Sequence, residues 1–214
     1  MYPIGEAISK TGVTVKGIRL PGHGTTVEEM KKTGWRDWLG EAERGFDELA
    51  GKCKKVSVVG LSMGGTLTLR LCETRPVFRA VPICAALKVF DRTMKYANFA
   101  WPFVHYTKDS PHKVYENFLN EYNESYDKTP VRCAAQLNIL MRKTKRDLSK
   151  ITCPLLVVRA AQDITVHPDS VDWVMALASS REKRLLELKK SPHVCTLGPD
   201  REELFREVTH FLTQ

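Results

Sequence analysis

The chain of 214 residues is 43% hydrophobic and 27% charged, which is enough apolar material for one substantial core and too much for a disordered chain. Its net charge of +8 rests on scattered or briefly clustered lysines and arginines without interleaved aromatic residues, which argues against nucleic acid as a partner. No stretch approaches the ~20 apolar residues of a membrane span and the first residues lack a signal-peptide core, so the expectation is a cytoplasmic protein with no stable membrane insertion.

Residues 5–10 fit one short helix, and residues 13–18 read as a strand. The loop "RLPGHGTT" over residues 19–26 follows, marked by Pro21, Gly22 and Gly24. Thr26 and Glu29 have capping-box spacing, so a short helix begins there. A longer helix is predicted over residues 35–50, where Trp35, Trp38, Leu39, Ala42, Phe46 and Leu49 recur at helical spacing. Residues 55–59 read as a strand with apolar residues on both faces, residues 63–73 as a helix stopped before Pro76, and residues 80–85 as a strand interrupted by Pro82.

Composition changes over residues 90–148, which are rich in aromatic and charged residues, show helical patterns and contain no predicted strand. This segment reads as a helical cap inserted into a core made of residues 1–89 and 149–214. A strongly apolar strand follows over residues 155–158, then a helix over 169–177, a strand near 184–188 and an amphipathic helix with Leu204, Val208 and Phe211 on one face. The β-α-β-α alternation predicts an α/β fold, a mostly parallel sheet with helices on both faces.

The six cysteines are spread singly, with no C-x-x-C pair, and fit neither a zinc site nor a disulfide framework. They point to a reducing compartment. His23, His105, His112, His167 and His210 share no metal-ligand spacing with another ligand-type residue. Neither a metal nor another cofactor is expected.

Gly60-Leu61-Ser62-Met63-Gly64 matches G-x-S-x-G at a strand-to-helix join. Glycine is expected on both flanks because a side chain there would collide inside the sharp turn. The turn lifts the Ser62 hydroxyl above the sheet's carboxyl edge, and the Met63 N–H, opening the helix, faces an anion held beside it. A serine hydroxyl needs a base, and the base needs an orienting acid. Asp163 lies just past the strand at 155–158, and His193 lies between the last strand and the last helix. Each alone also reads as an ordinary loop residue. Together they complete the order Ser, Asp, His, each at the carboxyl end of a strand.

"GLSMGG", "QD" before "VHPDS", "SPHV" and "LPGHGTTVEEMKKTGWRDW" resemble bacterial carboxylesterases and monoacylglycerol lipases of the α/β-hydrolase fold, over nearly the whole chain. The resemblance implies Ser62 as nucleophile, Asp163 as acid, His193 as base and the Met63 N–H as one oxyanion donor. It implies hydrolysis of short- or medium-chain esters or monoacylglycerols through an acyl-enzyme. Pro192 departs from the glycine many members carry before the histidine.

A larger departure concerns the family's early strand and His-Gly loop, which supply the second oxyanion donor. His23-Gly24 belongs to a later loop, so neither is found in this sequence. The expectation is an N-terminally incomplete core lacking roughly 30–40 residues, with a rate penalty of ~10²–10³ for one missing donor. Two other readings stay open. One is a weak or inactive remnant that binds rather than cleaves; the other is an acyltransferase or thioesterase on the same three residues. Aromatic residues Phe99, Trp101, Phe103 and Tyr106 either line an acyl site or pack the cap onto the sheet.

Overall fold

The computed structural model describes residues 1–108 and 126–214; His112 lies outside them. In chain order the elements are α1 (Tyr2–Ser9), α2 (Val27–Lys32), α3 (Trp35–Ala50), β1 (Val58–Leu61), α4 (Met63–Thr74), β2 (Ala80–Ile83), α5 (Ala97–Ala100) and β3 (Tyr106–Lys108). They continue with β4 (Lys128–Pro130), α6 (Val131–Asp147), β5 (Leu155–Ala160), α7 (Asp169–Leu177), β6 (Lys183–Leu188) and α8 (Arg201–Thr213).

The main sheet is parallel throughout, in the order β1-β2-β5-β6. Strand alternation sorts its side chains to two faces. Ala80, Leu155 and Val157 pack with Phe46 of α3, Leu69 of α4 and Val171 and Val174 of α7. Val81, Ile83, Leu156 and Val158 pack with Ile4 and Ile8 of α1 and Leu204, Val208 and Phe211 of α8. Helices therefore cover both faces, as an α/β chain requires to bury a parallel sheet. Among the described residues, no helix is long and apolar enough to cross a membrane.

Local signals place the helices well. Thr26 caps α2 by accepting from the Glu29 N–H at 3.2 Å, and the Gly34 N–H donates to Asp37 Oδ2 at 2.8 Å at the start of α3. Pro82 sits inside β2 despite its missing donor. The Ala80 and Cys84 N–H groups point to β5, so residue 82 forfeits the rung between them, and the paired positions Ala80↔Leu155 and Ile83↔Val158 carry the register across the gap.

Three expectations are corrected. Residues 13–18 form no strand: they run across α3, where Ile18 lies over Gly45, so closely that a Cβ there would sit 2.1 Å from the Ile18 Cδ1. No strand among the described residues offers that segment a ladder, and an unpartnered extended chain is not a strand. The strand expected at 55–59 forms at Val58–Leu61 and is an edge, with Val58, Val59 and Leu61 only half-buried. The segment 90–148, where helical patterns and no strand are expected, holds the antiparallel pair β3–β4, with Thr107 opposite Thr129, where β-branched residues suit a pleated ladder. From this segment, α6 packs on α3 and α4 through Cys133 and Leu140 beside Trp35, Trp38 and Leu67.

Candidate active site

The sheet brings three loops together at its carboxyl edge. Ser62 follows β1 with φ 57° and ψ −118°, a left-handed backbone that costs a non-glycine residue ~1–3 kcal/mol. Surrounding bonds hold it there. The Ser62 N–H donates to the Ile83 carbonyl at 2.9 Å, and its own carbonyl accepts from Thr66 N–H at 3.0 Å. A Cβ on Gly60 would lie 2.3 Å from the Gly64 carbonyl oxygen, so glycine is required there. On Gly64 a Cβ would meet nothing within 4 Å, whereas on Gly65 it would press on Ala85 at 2.9 Å. The close helix–strand approach therefore falls at Gly60 and Gly65, and the expected collision at Gly64 is not found.

Past β5, the Asp163 carboxylate divides its two oxygens. Oδ1 accepts from the Thr165 and Val166 N–H groups at 2.7 and 2.9 Å, fixing the turn, while Oδ2 lies 2.7 Å from His193 Nδ1. The His193 loop is stapled from both ends: Ser191 Oγ donates to Asp200 Oδ2 at 3.0 Å, and the Ser191 carbonyl accepts from the Gln162 N–H at 3.2 Å. His193 Nε2 stands 2.8 Å from Ser62 Oγ. The Asp163 side chain is 7% exposed and that of His193 16%, so the carboxylate is sheltered while the imidazole meets the surface. A hydroxyl bonded to an imidazole, itself bonded to a carboxylate, is an arrangement in which the hydroxyl proton can pass to the ring as the oxygen attacks.

Met63 opens α4, which leaves its N–H among the first-turn donors that the helix does not use. Its side chain packs with the cluster of Trp35, Trp38 and Leu67. The other described histidines make no hydrogen bond to these three residues. His23 bonds the Pro21 carbonyl, His167 pairs with Asp169 beside the Phe90 ring, and His210 meets Gln214. Phe99 and Phe103 are 79% and 85% exposed, so they do not pack the inserted segment onto the sheet; Trp101 is also exposed, and Tyr106 bonds Glu28.

Two residues without any sequence signal also converge here. Cys84, directly after β2 with φ 44°, and Cys195, two residues past His193, are buried with their sulfurs 3.8 Å apart. Single, widely spaced cysteines give no hint of this; only the shared strand edge does.

A sequence profile described as "Alpha/beta hydrolase family" matches residues 6–207. The chain is 35% identical to the thermostable monoacylglycerol lipase of Bacillus sp. (strain H-257), over 215 residues covering all of this chain and 85% of that protein. It is 26% identical to a carboxylesterase of Bacillus subtilis (strain 168), over 98% of this chain and 85% of the relative. A solved structure from work on the metagenome-derived lipolytic enzymes LipS and LipT superposes with a TM-score of 0.91 at 28% identity, covering all of this chain and 88% of that one. The Paleococcus ferrophilus monoacylglycerol lipase superposes at 0.79 with 20% identity, over 98% of this chain and 87% of that one, a likeness of fold.

Proposed function

The chain belongs to the α/β-hydrolase family and is an enzyme of the carboxylesterase and lipase type, and from that premise we propose that Ser62, His193 and Asp163 cleave carboxylic esters through an acyl-enzyme. Ser62 Oγ attacks the ester carbonyl carbon while His193 Nε2 takes its proton. The carbonyl electron pair moves to oxygen, where the Met63 N–H meets the developing charge. Collapse breaks the C–O bond to the alcohol, which leaves with the proton held by His193. Water then gives a proton to His193, attacks acyl-Ser62 and releases the acid, and the proton returns to Ser62 Oγ. Asp163 keeps the imidazole in the tautomer that accepts from Ser62 and stabilises the imidazolium.

The observation that carries this reading is the pair of hydrogen bonds at 2.8 and 2.7 Å that link Ser62 to His193 and His193 to Asp163. We take the substrate to be a short- or medium-chain ester or a monoacylglycerol, in keeping with the lipolytic relatives. Residues 90–148 act as a cap: Met94, Leu137 and Met141 from this segment pack with Ala86 and Val166, next to the strand ends that carry the site.

The test is turnover of p-nitrophenyl esters of graded acyl length and of a monoacylglycerol, alongside labelling by a fluorophosphonate. The expected result is labelling at Ser62, with kcat/KM reduced by at least ~10⁴-fold in Ser62→Ala. Absence of both labelling and turnover returns the chain to a non-catalytic binding role. Acyl transfer to an added alcohol or thiol faster than to water would make it an acyltransferase.

A further inference from the structure

A thiol beside the candidate triad completes a chelate. One donor atom from each of Cys84, Asp163 and His193 lies within 4.8 Å of the others, whereas Cys195, whose sulfur stands 3.8 Å from that of Cys84, falls outside this group. A sulfur, an imidazole nitrogen and a carboxylate oxygen form a donor set that suits a thiophilic divalent cation, with the fourth position left to water.

Oxidation to a disulfide fits the pair less well. Both thiols are buried, and the hydrogen bond with Cys195, followed by burial, pushes the Cys84 thiol far above its ordinary range. A thiol held in that form reacts poorly with peroxide. Metal binding differs, because the ion itself displaces the thiol proton as it binds.

We propose that Cys84, Asp163 and His193, with a solvent water in the fourth position, form an inhibitory site for a thiophilic divalent cation such as Zn²⁺ or Cd²⁺. The ion takes the lone pair at His193 Nδ1, one Asp163 oxygen and the Cys84 thiolate. The Cys84 thiol releases its proton to solvent. The Nδ1 proton is exchanged through solvent for one on Nε2, so the ring stays neutral. Nε2 then carries a proton and no longer accepts from Ser62 Oγ, and the base is lost without any large movement. The inhibition rests on the triad reading above; the binding of the ion does not.

The full chain is titrated with Cd²⁺ and Zn²⁺ in a Cys153→Ser background, because Cys153 neighbours Cys72 and that second thiol pair is thereby removed. The expected result is one Cd²⁺ per chain by equilibrium dialysis, an ultraviolet thiolate-to-cadmium band, and ester hydrolysis that falls over the same ion range and returns with a chelator. Adding Cys84→Ala, or the near-isosteric Cys84→Ser in case the first fails to fold, removes the band. Either one raises the half-inhibiting ion concentration at least ~10-fold, each variant being compared with its own ion-free rate. An unchanged band and unchanged half-inhibition in the folded Cys84 variants overturn the proposal. A Cys84-dependent band in a chain that hydrolyses no ester leaves the cation site standing and defeats the hydrolase mechanism instead.

Discussion

Asp163 has two tasks, and a single substitution separates them. Its Oδ1 holds the turn through two backbone N–H groups and its Oδ2 faces His193 Nδ1. Asparagine keeps an acceptor oxygen for the turn but presents an amide NH₂ to Nδ1. That drives the imidazole into the tautomer protonated at Nε2, which cannot accept from Ser62. Asp163→Asn is therefore expected to fold with a near-normal melting temperature and to lose ~10⁴-fold in kcat. Asp163→Ala, which also removes the turn acceptor, should in addition lower the melting temperature. Equal melting temperatures for the two variants would show that the Oδ1 bonds contribute nothing to stability.

At the scale of elements, α4 presents Ser62 at one end and is tied to the end of α6 at the other. Arg70 of α4 donates to Asp147 Oδ2 at 2.8 Å and also pairs with Glu73 one turn along its own helix. The two carboxyls respond in opposite ways. Arg146, Arg70 and Lys150 hold Asp147 well below the usual carboxylate range. Burial of Glu73, whose side chain is fully enclosed, outweighs the pull of Arg70 and raises its pKa from 4.5 to about 8. Glu73 is thus mostly protonated at neutral pH, and Asp147 is the ionised partner of Arg70. Because the folded pKa of Glu73 lies above its unfolded value, its contribution to stability is fully present below pH 4.5 and is lost as pH rises through about 8. The unfolding free energy measured with urea should fall across that window, with a slope of at most ~1.4 kcal/mol per pH unit from this group. Glu73→Gln should flatten the fall. A variant that keeps the full slope would place the titrating group elsewhere.

For the whole molecule, the sheet is protected unevenly. β5 lies between β2 and β6, buried along nearly its whole length, whereas β1 has β2 on one side only. The Val58 and Ser62 N–H groups donate to the Arg79 and Ile83 carbonyls, so Val59 and Leu61, by alternation, turn theirs to the side away from β2. No strand among the described residues lies on that side. Hydrogen exchange is expected to leave the Val157 and Val158 amides protected to the limit of global unfolding and to exchange Val59 and Leu61 much sooner. Equal protection of β1 and β5 would mean that the edge is covered in solution. The turn that carries Ser62 thus hangs from the less protected side of the sheet, held mainly by its bonds to Ile83 and Thr66.

Much of this was legible in the sequence because it is local. The span of α3 follows from apolar residues recurring along one helix face, and the start of α2 from a capping side chain that accepts from the N–H three residues on. The elbow is recognisable because the strand, the turn and the helix are contiguous around Ser62. The order Ser62, Asp163, His193 could be read because each falls at the carboxyl end of an apolar strand, and parallel strands bring those ends to one edge.

What the tertiary structure alone decided depends on partners distant in the chain. Residues 13–18 have the composition of a strand, yet a strand exists only where another offers its hydrogen bonds, and here the segment lies against α3 instead. Glycine at position 65 rather than 64 meets Ala85, twenty residues on, which no motif encodes. Cys84 and Cys195 sit 111 residues apart and share no spacing, yet the turns after β2 and β6 bring their sulfurs together beside His193. Periodicity and capping act within a few residues and are written in the sequence; ladder pairing and convergence at a sheet edge are settled only when the strands assemble.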